Sequence, residues 1–141
     1  MKKFLMTAAF AAFALTAGAQ SLNVSSAIKK FDDNFKLGAL YFNRAVDMTN
    51  AANAIDPFDE SQVSQYEKLM EKAGKLYRQS ITYLENAVAY VDGLTDEEAK
   101  AAMRVNLLNA LGALESSYTR VDMLDKANAI KARRDEILKQ Q

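Results

Sequence analysis

The fold of this chain depends most on one stretch, residues 59–91, which reads DESQVSQYEKLMEKAGKLYRQSITYLENAVAYV. Apolar or small residues recur in it at steps of three and four, the spacing of one face of an α-helix. These positions are Val63, Tyr66, Met70, Ala73, Tyr77, Ser80, Leu84, Ala87 and Val91. A helix of this length is stable in water only when partners cover its apolar face. The stretch therefore predicts a long helix that is packed against other helices.

Length and composition indicate a single all-α domain. The chain has 141 residues, of which 50% are hydrophobic, with one proline and five glycines, and this favours helical structure with a core of its own. Basic and acidic residues number 18 each, so we expect no nucleic-acid partner. The absence of Cys and His excludes thiol nucleophiles, imidazole bases and histidine-held metal or haem. We therefore expect no cofactor.

The N-terminal residues 1–19 have the pattern of a secretory signal peptide. Lys2 and Lys3 precede an apolar run at 4–15, and the small residues at 17–19 fit a cleavage site. The run is too short to span a bilayer. We expect cleavage after Ala19, which leaves a domain of residues 20–141 with a net charge of −2. The expected product is periplasmic or secreted from a bacterial cell, without stable membrane insertion.

Turn signals divide the remaining chain into four helices. Pro57 disfavours helical backbone at the residue before it, so the first helix should end near the segment IDPFD (55–59). The predicted helices cover residues 27–53, 59–91, 95–118 and 123–139. Because short connections make neighbouring helices antiparallel, we predict two helical hairpins, 27–91 and 95–139, stacked on one another.

Polar residues next to these helices are candidates for caps. The predicted caps are Ser25 or Ser26 for the first helix, Asp59 with Gln62 for the second, Thr95 with Glu98 for the third, and Gly93 in a left-handed conformation after the second.

Two glycines suggest a close crossing within the first hairpin. Gly38 and Gly74 lie at equal distances from position 56, the centre of the proline turn. In an antiparallel hairpin they should face each other and allow the two backbones to approach. A 36-residue repeat is the alternative interpretation, but no turn signal lies between residues 59 and 91.

Three motifs resemble the tetratricopeptide (TPR) repeat. Leu37-Gly38-x-x-Tyr41 matches the L-G-x-x-Y core of the first helix of a repeat. Leu84 and Ala87 resemble the end of a second helix, and the three large residues Leu111, Leu114 and Tyr118 resemble another first helix. The chain departs from the family in its longer helices and its lack of Trp and of a loop Pro. An unrelated four-helix bundle is the alternative fold.

The resemblance also implies a binding surface. In TPR proteins the first helices of successive repeats line a concave groove, and alignment on the motifs places partner-binding positions at Phe35, Ala39, Phe42, Asn43, Asn109, Gly112, Ser116 and Arg120. The Lys and Asn clamp for a peptide carboxylate is not matched, since Phe35 and Ala39 stand there. The resemblance thus implies a mostly apolar groove for a protein or peptide segment, with self-association also possible.

Other functions are less well supported by the sequence. A periplasmic bundle that binds a small apolar ligand among Met and Tyr side chains is the main alternative. An enzyme would have to use carboxylates alone, such as Asp32/Asp33, Asp96/Glu97/Glu98 and Asp135/Glu136. These residues lie at helix starts or on polar faces, so we predict a non-enzyme. Tyr83 and Tyr90 lie off the main stripe, and we expect them to contact the second hairpin or a partner.

Overall fold

A computed structural model describes residues 23–140 and confirms the all-α prediction. The described residues form five α-helices: α1 (Val24–Asn53), α2 (Val63–Asp92), α3 (Glu97–Ala102), α4 (Arg104–Arg120) and α5 (Leu124–Lys139). A 3-10 turn, Glu60–Gln62, precedes α2. The predicted signal peptide at residues 1–19 lies outside the described residues.

The first hairpin is formed by α1 and α2, which pack along each other. The loop between them is organised by two Asp residues that follow the end of α1. The Asp56 carboxylate accepts a hydrogen bond from the Phe58 backbone N–H at 2.9 Å. The Asp59 carboxylate accepts from the Ser61 backbone N–H at 3.0 Å and from the Gln62 side chain at 2.6 Å. Asp59 is therefore a cap, but of the 3-10 turn. The predicted capping box of Asp59 with Gln62 at the start of the second helix is wrong, since α2 begins at Val63 without a side-chain cap.

The hydrogen bonds to Asp59 also stabilise its charged form. The Ser61 hydroxyl and then the Gln62 amide donate to this carboxylate and hold its pKa below the usual range. Because the folded-state pKa is lowered, this contribution to stability is present above the unfolded pKa and disappears as the pH falls through the folded value.

Three other predicted caps are wrong. Asn23, not Ser25 or Ser26, caps α1, since its side chain accepts from the Ser25 N–H. Asp96 replaces Thr95 as the cap of α3 and accepts from the Ala99 N–H at 2.7 Å, because it stands three residues before that amide. Gly93 follows α2 with φ −77° and thus adopts right-handed backbone geometry.

The register of the first hairpin differs from the prediction. Gly38 contacts α2 near Ser80 and Leu84, and the Ser80 hydroxyl donates to the Gly38 carbonyl oxygen at 2.9 Å. A Cβ atom at position 38 would lie 2.7 Å from Leu84 Cγ, whereas one at Gly74 would meet only the Arg78 side chain at 3.4 Å. The close approach at Gly38 is real, but its partner is not Gly74. The 3-10 turn lengthens the connection and moves the centre of the hairpin beyond position 56.

The second hairpin begins with a helix that the sequence predicted as continuous. Met103, with ψ −2°, interrupts it between α3 and α4, although its side chain is buried in the core. The three large residues of α4, Leu111, Leu114 and Tyr118, are all 0% exposed. The predicted turn near residue 121 is confirmed.

A left-handed residue makes this turn. Asp122 has φ 59°, and the Met123 N–H donates to the Tyr118 carbonyl oxygen at 2.9 Å. The Asp122 N–H donates to the Thr119 carbonyl oxygen. This pair of bonds is the Schellman motif that ends α4.

The second hairpin packs against the C-terminal half of α2. The main core joins Phe31 of α1 with Leu84 and Val88 of α2 and the three large residues of α4. The Tyr118 hydroxyl donates to the Glu85 carboxylate, and Lys126 of α5 lies over the Tyr118 ring at 5.4 Å. Burial raises the pKa of the Tyr118 hydroxyl, which therefore remains a donor.

The two tyrosines expected to contact the second hairpin have different principal partners. The Tyr83 ring stacks on Tyr41 of α1, with centroids 5.6 Å apart. Lys30 of α1 lies 5.5 Å from the centre of the Tyr90 ring. Both rings are half-buried. Tyr83 stacks on the first helix, whereas Tyr90 also packs against the main core, to which the second hairpin contributes. Within residues 23–140, no helix combines the length and apolar character needed to cross a membrane.

Candidate functional site

A groove of about 520 Å³ opens where α4 ends against the first hairpin. The first hairpin contributes an apolar wall and floor, and the last turns of α4 contribute a polar wall. The lining residues are Phe42 and Val46 of α1, Met70 and Tyr77 of α2, and Glu115, Ser116, Thr119 and Arg120 of α4.

Tyr77 forms the floor of the groove, and only 3% of its surface is exposed. The Phe42 ring meets the Tyr77 ring edge-on, with centroids 5.9 Å apart and planes at 69°. The Thr49 hydroxyl donates to the Ala45 carbonyl oxygen at 2.9 Å. The 3.4 Å contact between the Tyr77 and Thr49 hydroxyls therefore has Tyr77 as its donor. Buried hydrogen bonds of this kind fix the orientation of the ring below Phe42.

The electrostatic character of the groove comes from α4. Glu115 is held at 2.5 Å by Arg134 of α5, which neutralises its charge. Arg120 is exposed, and among residues 23–140 it forms no ion pair. The groove thus combines an apolar wall, two hydroxyl groups and one available cation at its edge.

The structure brings together three of the residues that the TPR resemblance selected. Phe42, Ser116 and Arg120 all line the groove, although Phe42 lies on α1 and the other two lie on α4. The helices that carry them are the first substantial helices of the two hairpins. The family alignment thus selected residues from separate parts of the sequence that share one surface.

The other selected residues do not line this groove. Phe35 packs against the main core and stacks on Phe31 with centroids 5.5 Å apart. Ala39 is half-buried, and Asn43 and Asn109 are exposed but absent from the groove lining. Gly112 faces Arg134, the nearest side chain to a Cβ atom placed there.

Five lining residues were missed at the sequence level: Val46, Met70, Tyr77, Glu115 and Thr119. Met70 and Tyr77 were assigned to the core because they belong to the apolar stripe of residues 59–91. That stripe is buried from Ala73 onward, but Val63 and Tyr66 remain 48% and 41% exposed. Helical spacing could have added Val46 and Thr119, which lie one turn beyond the selected residues Phe42 and Ser116.

The acidic pairs considered for catalysis occupy separate structural positions. Asp33 forms an ion pair with Lys29 on the same helix, and Asp96 caps α3. Within residues 23–140, no group of three or more acidic side chains is arranged to hold a metal ion.

In comparisons with known proteins, no model of a protein family matches this chain, and neither a curated protein nor a solved structure matches it. The resemblance to the TPR family therefore rests on the motifs of the chain itself.

Proposed function

We propose that this protein is an exported, non-catalytic protein-interaction module of the bacterial cell envelope, built from two TPR-like helical hairpins. The order of the helices supports the proposal, since α1, α2, α4 and α5 pack in succession. The signal-like residues 1–19 support export, and the lack of His and Cys in the whole chain supports a role without catalysis.

The observation that carries the proposal is the groove that holds Phe42, Ser116 and Arg120 together. TPR proteins bind partner segments on the surface lined by the first helices of their repeats. Here α1 and α4 provide three residues at the corresponding positions, with Tyr77 of α2 below them.

The groove fits a short segment of a partner protein with both apolar and acidic character. Its apolar wall can accept one or two large side chains, as in helix-in-groove recognition. Arg120 can then pair with a carboxylate at the edge, where exposure to water makes the interaction contribute more to orientation than to affinity.

Introducing acidic side chains into the groove tests the proposal. Tagged protein carrying Phe42→Glu or Arg120→Glu should lose a partner that the wild-type protein retains from envelope extract. We expect about a tenfold loss for Phe42→Glu, because it places a charge on the apolar wall, and a smaller loss for Arg120→Glu. The measurement is quantitative mass spectrometry of the retained proteins, after thermal unfolding has shown that each variant is folded.

Asn109→Glu provides the matched control, since Asn109 is exposed on the same α4 helix but lies outside the groove. Equal retention by all three variants would contradict the groove as the binding surface. Native mass spectrometry on the same samples distinguishes protein binding from the alternative function, the binding of a small apolar ligand. A small apolar molecule that is lost in Phe42→Glu, with no protein partner, would favour a ligand carrier.

A further inference from the structure

We propose that the loop end of the first hairpin is a second binding surface, which takes a basic segment of a partner protein that carries a large apolar side chain. This surface, the tip cleft, consists of Ala52, Asn53, Ile55, Asp56, Pro57, Val63 and Tyr66, together with the neighbouring Phe58. It stands apart from the groove at Phe42, and no residue lines both.

The tip cleft is apolar and open to solvent. It has a volume of about 330 Å³, and the Phe58 ring beside it is 92% exposed. Val63 and Tyr66 on its α2 side are 48% and 41% exposed. A single exposed apolar residue is ordinary, but adjacent large residues around a cleft are typical of binding surfaces.

The loop that presents Phe58 is held in place before any partner binds. The Phe58 backbone N–H donates to the Asp56 carboxylate at 2.9 Å. The Asp59 backbone N–H donates to the Asp56 carbonyl oxygen at 3.2 Å. Asp59 is in turn bonded to Ser61 and Gln62. A preorganised loop loses little conformational entropy on binding, which favours recognition through the aromatic ring.

The charge of the tip identifies the kind of partner. Between Arg44 and Lys68 the sequence contains no basic residue, but it contains five acidic ones, Asp47, Asp56, Asp59, Glu60 and Glu67. Four of these five side chains belong to exposed residues, and Asp59 is half-buried. Asp56 lines the cleft itself, and the other four belong to the same stretch of chain. An apolar cleft in a segment whose charges are all negative is complementary to a segment with Lys or Arg around an apolar anchor.

The same charge disfavours two other occupants. An anionic membrane surface would repel the five carboxylates, although Phe58 alone could enter the lipid interface. A second copy of the tip would bring two negative surfaces together without a compensating basic residue.

Binding of a designed probe tests this surface. The probe is a fluorescent 18-residue peptide with Leu at helical spacing and Lys at the other positions, and its counterpart carries Glu in place of Lys. We expect the purified protein to bind the Lys peptide and not the Glu peptide. Phe58→Ser should weaken binding about tenfold, because it removes the exposed aromatic anchor. The combined change Asp56→Asn and Glu60→Gln should weaken it about threefold and reduce its salt dependence.

Asn at position 56 keeps an oxygen that can accept the Phe58 N–H, so the double variant changes charge without removing the loop bond. Val105→Ser is the matched control, because Val105 is 67% exposed on α4 and should leave peptide binding unchanged. Arg120→Gln, which removes the cation of the groove without adding an acidic group, should also leave it unchanged, and this separates the tip cleft from the groove.

Four results would overturn the inference. The first two are equal binding of the two peptides and full binding by Phe58→Ser. The third is Phe58-dependent sedimentation with phosphatidylcholine–phosphatidylserine vesicles, which would assign the surface to membranes. The fourth is self-association that Phe58→Ser abolishes in analytical ultracentrifugation, which would assign it to a second copy.

Discussion

At the scale of single residues, two glycines in similar helical settings have opposite roles. Gly38 is buried and its backbone lies against Leu84, which is itself 0% exposed. The Ser80 hydroxyl lies beside this contact and donates a hydrogen bond to the Gly38 carbonyl oxygen. Gly74 lies in the interior of α2, where the nearest atom to an added Cβ belongs to the flexible Arg78 side chain.

We therefore expect alanine to destabilise the protein at one glycine and stabilise it at the other. Gly38→Ala should lower the free energy of unfolding by about 1–2 kcal/mol, because the clash with Leu84 outweighs the better helix propensity of Ala. Gly74→Ala should raise it by about 0.5–1 kcal/mol through propensity alone. Urea denaturation of both variants measures the difference, and changes of the same sign would contradict the close contact at Gly38.

The sequence predicted the need for a small residue at Gly38 but not the partner of that residue. The register of the hairpin depends on the length of the connection, and the 3-10 turn at Glu60–Gln62 was read as part of the second helix. The stripe that includes Ser80 was predicted to be covered along its whole length, and this holds from Ala73 onward but not at Val63 and Tyr66. Local patterns thus determined which face was buried, whereas the turn determined the register.

At the scale of elements, α5 depends on charge more than the other long helices do. Its buried residues are only Ala127 and Ile130. All three ion pairs between different helices of the described chain take their cation from α5: Lys126 with Glu85, Arg133 with Asp92, and Arg134 with Glu115. Arg104 of α4 also donates to the Ile137 carbonyl oxygen near the end of α5.

Docking of α5 should consequently depend on salt. Arg133→Gln removes the cation from Asp92 and should lower the free energy of unfolding by up to about 1 kcal/mol at low salt, because both partners are partly exposed. The loss should shrink in about 0.5 M NaCl. Urea denaturation at the two salt concentrations provides the measurement.

Lys131→Gln is the control for that experiment, since Lys131 is an exposed cation of the same helix and takes part in none of the three pairs. If Arg133→Gln behaved like Lys131→Gln at both salt concentrations, the pair with Asp92 would contribute nothing to docking. The sequence predicted α5 but not the ion pairs of Arg133 and Arg134, because interhelical pairing cannot be inferred from the periodicity of one helix.

At the scale of the whole molecule, the two hairpins differ in length. The helices of the first hairpin have 30 residues each, about 45 Å at 1.5 Å per residue. Helix α4 has 17 residues and packs on the C-terminal part of α2, where the largest core cluster lies. Among residues 23–140, the loop half of the first hairpin is supported by the smaller cluster around Ala45, Ala73 and Tyr77.

Backbone amide hydrogen exchange should follow this division. We expect amides in residues 63–72 of α2 to exchange faster than those in residues 80–91, because fewer apolar contacts oppose local opening near the loop. Exchange measured by mass spectrometry on overlapping peptides can resolve the two segments. Equal protection along α2 would show that the hairpin opens only as one unit.

The candidate groove was predicted less completely than the fold. Family motifs located Phe42, Ser116 and Arg120, but they could not show that Phe35 belongs to the core or that Tyr77 forms the floor. Which part of an apolar stripe stays accessible depends on where the second hairpin stops. The place where the second hairpin ends along α2 depends on packing between the hairpins. The spacing of apolar residues in α2 alone cannot predict it.

The continuity of α2 has a further consequence for avidity. Tyr66 beside the tip cleft and Tyr77 in the groove stand on one uninterrupted helix, which keeps them about 16 Å apart along its axis. A partner with two anchors at that spacing could occupy the groove and the tip cleft together. After one anchor has bound, the other would be present at its own surface at an effective concentration of about 1 mM or more. The gain depends on α2 remaining one straight helix between these residues, because a kink there would change the spacing of the two surfaces.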